Sequence, residues 1–136
     1  METITQEAAT ALKPQYLRIG EESEADGGMY AGIVRGEEGQ PDYHLFLIAS
    51  RDNKQFTWEQ AMAAAAELGG ALPTRREQAI LFGNLKDQFQ PDWYWSSEQY
   101  APDPCYAWFQ YFDDGYQDDF RMSAEGRARA VRRLPI

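Results

Sequence analysis

The chain has 136 residues, 43% of them apolar and 14% aromatic, enough for one folded core and far too apolar for a disordered acidic chain. Its 13 Lys and Arg against 22 Asp and Glu leave a net charge of −9, which disfavours both a counterion-displacing nucleic-acid binder and docking on anionic lipid. A single cysteine excludes an internal disulfide, and neither a signal-peptide pattern over Met1 to Ala11 nor 18 consecutive apolar residues occur, so a soluble protein of a reducing compartment with no membrane insertion is expected.

Residues 1–14, ending in Lys13-Pro14, show no period and read as an N-terminal arm, leaving 15–136 as the domain. Tyr16 to Ile19 is the first strand candidate, and the acidic stretch Gly20 to Gly28 reads as a loop. Met29 to Arg35 and Tyr43 to Ala49 flank a Gly/Pro turn and predict a hairpin. The period then changes. Trp58, Ala61, Met62, Ala65 and Leu68 recur at helical spacing behind Thr57, with Gln60 placed to complete a capping box and Gly69-Gly70 to end the helix. Thr74 and Glu77 repeat that design ahead of Ile80, Leu81 and Leu85. Strands resume at Tyr94 to Ser96, followed by a long loop from Glu98 to Tyr106, a strand from Ala107 to Phe112, the turn Asp113-Asp114-Gly115, and strands over Tyr116 to Met122 and Arg127 to Leu134. This order predicts an α+β domain in which two short helices pack beside a mostly antiparallel sheet.

Few residues offer chemistry. His44, the sole histidine, sits beside Leu45, Phe46 and Leu47 and reads as a satisfied sheet histidine rather than a base. Cys105 has no basic neighbour in sequence to lower its pKa and reads as an idle thiol. One His and one Cys cannot furnish the usual zinc sets, and the phosphate-binding and nucleophile-elbow glycine motifs are missing, so neither enzymatic activity, nor a cofactor, nor a metal is expected.

The most unusual stretch is 98–119, with a local charge of −6 and no Lys or Arg. Glu98, Asp113, Asp114, Asp118 and Asp119 alternate there with Tyr100, Tyr106, Trp108 and Tyr116, and these nine are the candidate partner-binding residues. Tyrosines supply contact area and carboxylates supply steering, a composition suited to a basic protein surface or a glycan. The plainer reading is a tight turn, packed aromatics and solvated acids. The aspartates lack the one-three-five spacing of an EF-hand loop, and strand alternation would split Asp118 from Asp119, so calcium is not expected. The last sixteen residues invert the balance at +4 through Arg121, Arg127, Arg129, Arg132 and Arg133, read as cross-strand partners for acidic neighbours rather than as a nucleic-acid stripe.

Four segments taken in order carry a resemblance: Leu72-Pro73-Thr74-Arg75, Trp93-Tyr94-Trp95-Ser96-Ser97, Tyr106-Ala107-Trp108 before Phe112-Asp113-Asp114-Gly115, and Arg127-Ala128-Arg129-Ala130-Val131-Arg132. From about Thr57 to Leu134 the chain resembles the family typified by the C-terminal domain of a bacterial collagen-like adhesin, found also in phage and prophage proteins of unknown function. The resemblance implies a C-type-lectin-like fold without disulfides and a setting in the bacterial host cytoplasm or the phage virion. The chain lacks the Trp-Asn-Asp calcium motif of animal C-type lectins, and its two Gln-Pro-Asp triplets, Gln40 to Asp42 and Gln90 to Asp92, read as turns. Function is then expected in loops on a fixed frame, as a non-enzymatic module binding a protein or glycan. The alternative is an acidic phage inhibitor that mimics nucleic-acid charge and blocks a host defence or regulatory protein.

Overall fold

The computed structural model describes residues 17–50 and 54–136. Both predicted capping boxes form. Thr57 Oγ1 accepts from the Gln60 N–H at 3.4 Å while the Gln60 side chain accepts from the Thr57 N–H at 3.0 Å, opening α1 (Trp58–Glu67). Thr74 and Glu77 exchange the same pair at 3.2 and 2.8 Å to open α2 (Arg75–Leu85). Each box satisfies two N–H groups that a helix start otherwise leaves to water. After α1 the chain turns away at Gly69, whose φ of +80° suits a residue without Cβ.

The strands form two antiparallel sheets rather than one. β1 (Glu22–Ser23), β2 (Gly28–Val34), β3 (Tyr43–Leu47) and β7 (Val131–Pro135) build the first, in the order β1-β2-β3-β7. β4 (Trp93–Gln99), β5 (Tyr106–Tyr111) and β6 (Gln117–Arg121) build the second in chain order. The expected hairpin between β2 and β3 is present, pairing Met29 with Leu47 and Val34 with Tyr43. Three isolated bridges, Phe56 with Gly126, Tyr94 with Arg127 and Ala71 with Val131, carry the chain from one sheet to the other.

Two apolar clusters follow from this division. Val34, Leu45, Leu47 and Val131 of the first sheet meet Leu81 and Leu85 of α2, with Tyr94 and Phe112 closing the far side. Trp58, Ala61 and Ala65 of α1 meet Trp95, Ala107 and Phe109 of the second sheet, with Leu72 and Ala130 between them. The second sheet thus packs on both faces at β4, through Tyr94 and Trp95, while Phe120 of β6 stays exposed. Where the register between β4 and β5 shifts, from Trp95 to Gln99, the strand bonds to neighbouring segments instead: the Trp58 indole donates to Ser96 O at 2.9 Å, the Gln78 amide to Trp95 O at 3.3 Å, and the Ser97 N–H to Pro73 O at 2.9 Å.

Several expectations need correction. Leu17 to Ile19 form no strand, Tyr16 and the 1–14 arm lie outside the described residues, and the stretch read as a loop contains β1. A two-residue strand has no period by which to find it. The long loop shrinks to residues 100–105, since Glu98 belongs to β4 and Tyr106 to β5. Arg127 to Ala130 are irregular, and regular pairing with β3 begins only at Val131. Among the described residues no helix is long and apolar enough to cross a membrane.

Candidate functional site

The connection between β4 and β5 is closed by its own backbone. The N–H of Tyr100 donates to Tyr106 O at 2.8 Å, the N–H of Asp103 to Tyr100 O and the N–H of Tyr106 to Asp103 O at 3.0 Å each, and the Asp103 carboxylate accepts from the Cys105 N–H at 3.0 Å. From this rigid base β5 and β6 pair Tyr106 with Arg121, Trp108 with Asp119 and Phe109 with Asp118. Directly paired residues share a face, so Tyr106, Trp108, Asp119 and Arg121 lie together, while Asp118 joins Phe109 and Phe120 on the opposite face. The expected separation of the two aspartates is observed, although Asp118 Oδ1 turns back to accept the Asp119 N–H at 2.8 Å. The Asp119 carboxyl is raised above its ordinary range, first by desolvation and then by the hydrogen bond and charge of Asp118 and the charge of Asp103.

Trp108 is the centre of an aromatic platform. The Tyr100 ring meets it edge-on at 5.2 Å, and the Arg75 guanidinium from the first turn of α2 lies 3.5 Å over its centroid. Arg75 is held there by Gln117 Oε1, which accepts from its Nε at 3.0 Å, while the Gln117 amide donates to Arg75 O at 2.7 Å and to Gln110 Oε1 at 2.8 Å. The platform therefore bridges α2, the short loop and both strands of the hairpin.

Three of the nine candidates have structural work. Glu98 accepts the Arg75 N–H at 2.7 Å, capping α2 from a neighbouring strand. Asp113 Oδ1 accepts the Asp114 N–H and Asp114 Oδ1 the Tyr116 N–H, both at 2.9 Å, so these two carboxylates shape the turn. Gly115 completes it with φ +82° packed against Phe82, where an added Cβ would come within 3.1 Å of the ring. Tyr116 stays 56% exposed, with its hydroxyl 3.3 Å from Asp118 Oδ2, and the Asp118 charge followed by that hydrogen bond raises its pKa.

Three arginines of the C-terminal segment, Arg127, Arg129 and Arg133, reach partners in the fold, while Arg121 and Arg132 are exposed. Arg127 Nε meets Asp92 at 2.8 Å, and Arg133 grips Glu77 with Nε at 2.7 Å and Nη2 at 2.8 Å. Arg129 lies between the carbonyls of Gln88 and Ile48. Among the described residues none of Asp103, Asp113, Asp114, Asp118 and Asp119 has a Lys or Arg at ion-pair distance. His44 Nδ1 and the Tyr30 hydroxyl share a hydrogen bond at 2.7 Å, as a satisfied sheet histidine should, and Cys105 is an exposed free thiol. Among the described residues no three acidic, His or Cys side chains converge as a metal would need.

Glu77 and Arg129 had no distinct functional signal in sequence. The T-x-x-E pattern gives Glu77 a capping duty, but nothing local announces that its second oxygen takes Arg133 from 56 residues away. No family model matches the chain, and no curated protein matches it at a significant level.

Proposed function

We propose that the chain is a non-enzymatic binding module on a C-type-lectin-like frame, of the kind carried by phage and prophage proteins, with its partner surface on the 100–105 loop and the β5–β6 hairpin. The order of elements supports the frame: strands, two capped helices, a three-stranded hairpin sheet, and a last strand returning to pair with β3. One observation carries the site. Tyr100, Trp108 and the exposed Tyr116 stand on backbone-fixed supports beside Asp103, Asp118 and Asp119, which no described Lys or Arg neutralises. Rigid aromatics with flanking carboxylates fit a basic protein surface or a glycan. Glu98, Asp113 and Asp114 contribute through the helix cap and the turn rather than by direct contact.

The test is recovery of partners from a bacterial lysate and from a glycan array by the native chain and by a variant with Asp103, Asp118 and Asp119 changed to Asn. Asn keeps a side-chain oxygen for the loop, so the variant removes charge more than shape. Reduced capture supports the site, and equal recovery by both forms rejects it.

The engagement of Arg127 by Asp92 and of Arg133 by Glu77 also favours a second reading, the acidic mimic of nucleic acid, because neither arginine is left to pair with the hairpin acids. A mimic binds a basic host protein, releases it at about 0.5 M salt and competes with DNA or RNA for it. Capture that survives that salt excludes mimicry.

A further inference from the structure

Beside α1, away from the hairpin, two clefts share a wall. The larger, about 350 Å³, is walled by Ile48, Phe56, Ala65, Leu68, Leu72 and Ala130. The smaller, about 100 Å³, is polar and includes Gln90, Tyr94 and Arg127. Ser50, Lys54, Ala128 and Arg129 line both, so the clefts adjoin, the larger mainly apolar and the smaller cationic. Arg129 stands at the junction. Its Nη2 donates to Ile48 O at 3.0 Å and its Nη1 to Gln88 O, and its guanidinium lies 5.2 Å from the Phe89 ring centroid. Its Nε is buried with no hydrogen-bond partner, and no carboxylate among the described residues pairs with it. Arg127 and Arg133, its neighbours along the chain, each have one.

A desolvated guanidinium held only by neutral carbonyls retains an uncompensated charge; its Nε is closed off from the clefts, but Nη1 and Nη2 each spend one hydrogen on a carbonyl and keep a second for an anion. Burial depresses the Arg129 pKa, the direction expected when no anion offsets desolvation. We propose that the adjoining clefts bind a small amphipathic carboxylate, its apolar chain in the larger cleft and its carboxylate on Arg129 in the smaller one. A carboxylate matches the planar fork of a guanidinium and supplies one compensating charge. The polarity of the site sets the direction of binding. Glu67, at the C-terminal end of α1, lines the larger cleft and not the smaller, so both its charge and the helix dipole repel an anionic head from the apolar end. This site is independent of the hairpin.

Titration of the full chain with octanoate, octanamide and acetate, followed by methyl NMR, tests the assignment. Octanoate should shift the methyls of Ile48, Ala65, Leu68 and Ala130 saturably, octanamide should bind about tenfold or more weakly, and acetate should leave those methyls unmoved. Ala64→Leu, which fills the larger cleft from a helical position that favours Leu, should weaken octanoate by about tenfold with the fold intact. Arg129→Gln should abolish the preference for octanoate over octanamide. If the loss of two carbonyl contacts unfolds that variant, Ala64→Leu and the amide comparison decide. No saturable shift at millimolar octanoate, equal binding of the amide, or unchanged affinity in Ala64→Leu overturns the proposal.

Discussion

Burial by itself would push the Glu77 carboxyl up. The side chain is fully inaccessible, yet Arg133 and Tyr43, which donate hydrogen bonds to it, hold it below the usual carboxylate range. A carboxyl depressed in the folded state adds stability that is complete above its unfolded pKa of about 4.3 and is lost as the pH falls through the lower folded value. Tyr43 behaves in the opposite sense: desolvation first, then its bond to Glu77, raises it to about 12, so its contribution is present below about 10 and lost as the pH rises through 12. Urea midpoints measured across pH should therefore fall at both extremes. Glu77→Gln should cost about 3 kcal/mol at neutral pH, the low end for breaking a buried pair, because the Arg133 side chain is 36% exposed and can recover water. The same substitution should flatten the acid limb, and an acid limb identical to the native one would refute this role.

At the scale of elements, α2 shows how much local sequence can specify and where it stops. Thr74, Glu77 and the apolar positions Leu81 and Leu85 mark the start and the buried face of the helix because capping and helical period are local properties. The third acceptor at its N-terminus, Glu98, arrives from β4, 23 residues along, and could not be told from a surface acid by its neighbours. The same limit explains the second sheet. Tyr94 to Ser96 and Ala107 to Phe112 are rich in aromatics and read as strands, but which sheet each strand joins depends on pairings that no local pattern records. Thr74→Ala and Glu98→Ala should each lower stability by about 1 kcal/mol, read as a shift in denaturant midpoint. Glu98→Ala should leave partner capture at the native level once the chain is folded. A loss of capture with stability unchanged would return Glu98 to the binding surface.

For the whole molecule, the segment from Gly126 to Ile136 joins what the rest of the chain leaves apart. Gly126 and Phe56 exchange backbone hydrogen bonds at 2.8 Å, the Trp95 N–H donates to Arg127 O at 3.0 Å, the Ile48 N–H to Ala130 O at 2.9 Å, and Val131 and Ala71 exchange bonds at 2.8 and 3.0 Å. Adjacent residues serve different cores: Ala130 packs in the cluster under α1, and Val131 in the cluster under α2. The arginine-rich composition of this stretch made pairing with acids legible, but not across strands as expected: Arg127 takes Asp92, which precedes β4, and Arg133 takes Glu77 of α2, 35 and 56 residues away, while the β3 residues opposite Arg132 and Arg133 are Phe46 and Leu45. Contacts that span so much chain form only after the intervening segments are fixed, so this stretch should act as a cooperative lock on both sheets rather than as an appendage. A chain ending at Glu125 should show no cooperative thermal transition, since it loses a strand of the first sheet, one buried residue from each core, and the partner of Glu77 together. A chain ending at Leu134 should melt within a few degrees of the native one, because it loses the edge residue Pro135 and Ile136, which is 65% exposed. A cooperative, native-like transition in the chain ending at Glu125 would show that the two sheets hold together without this segment.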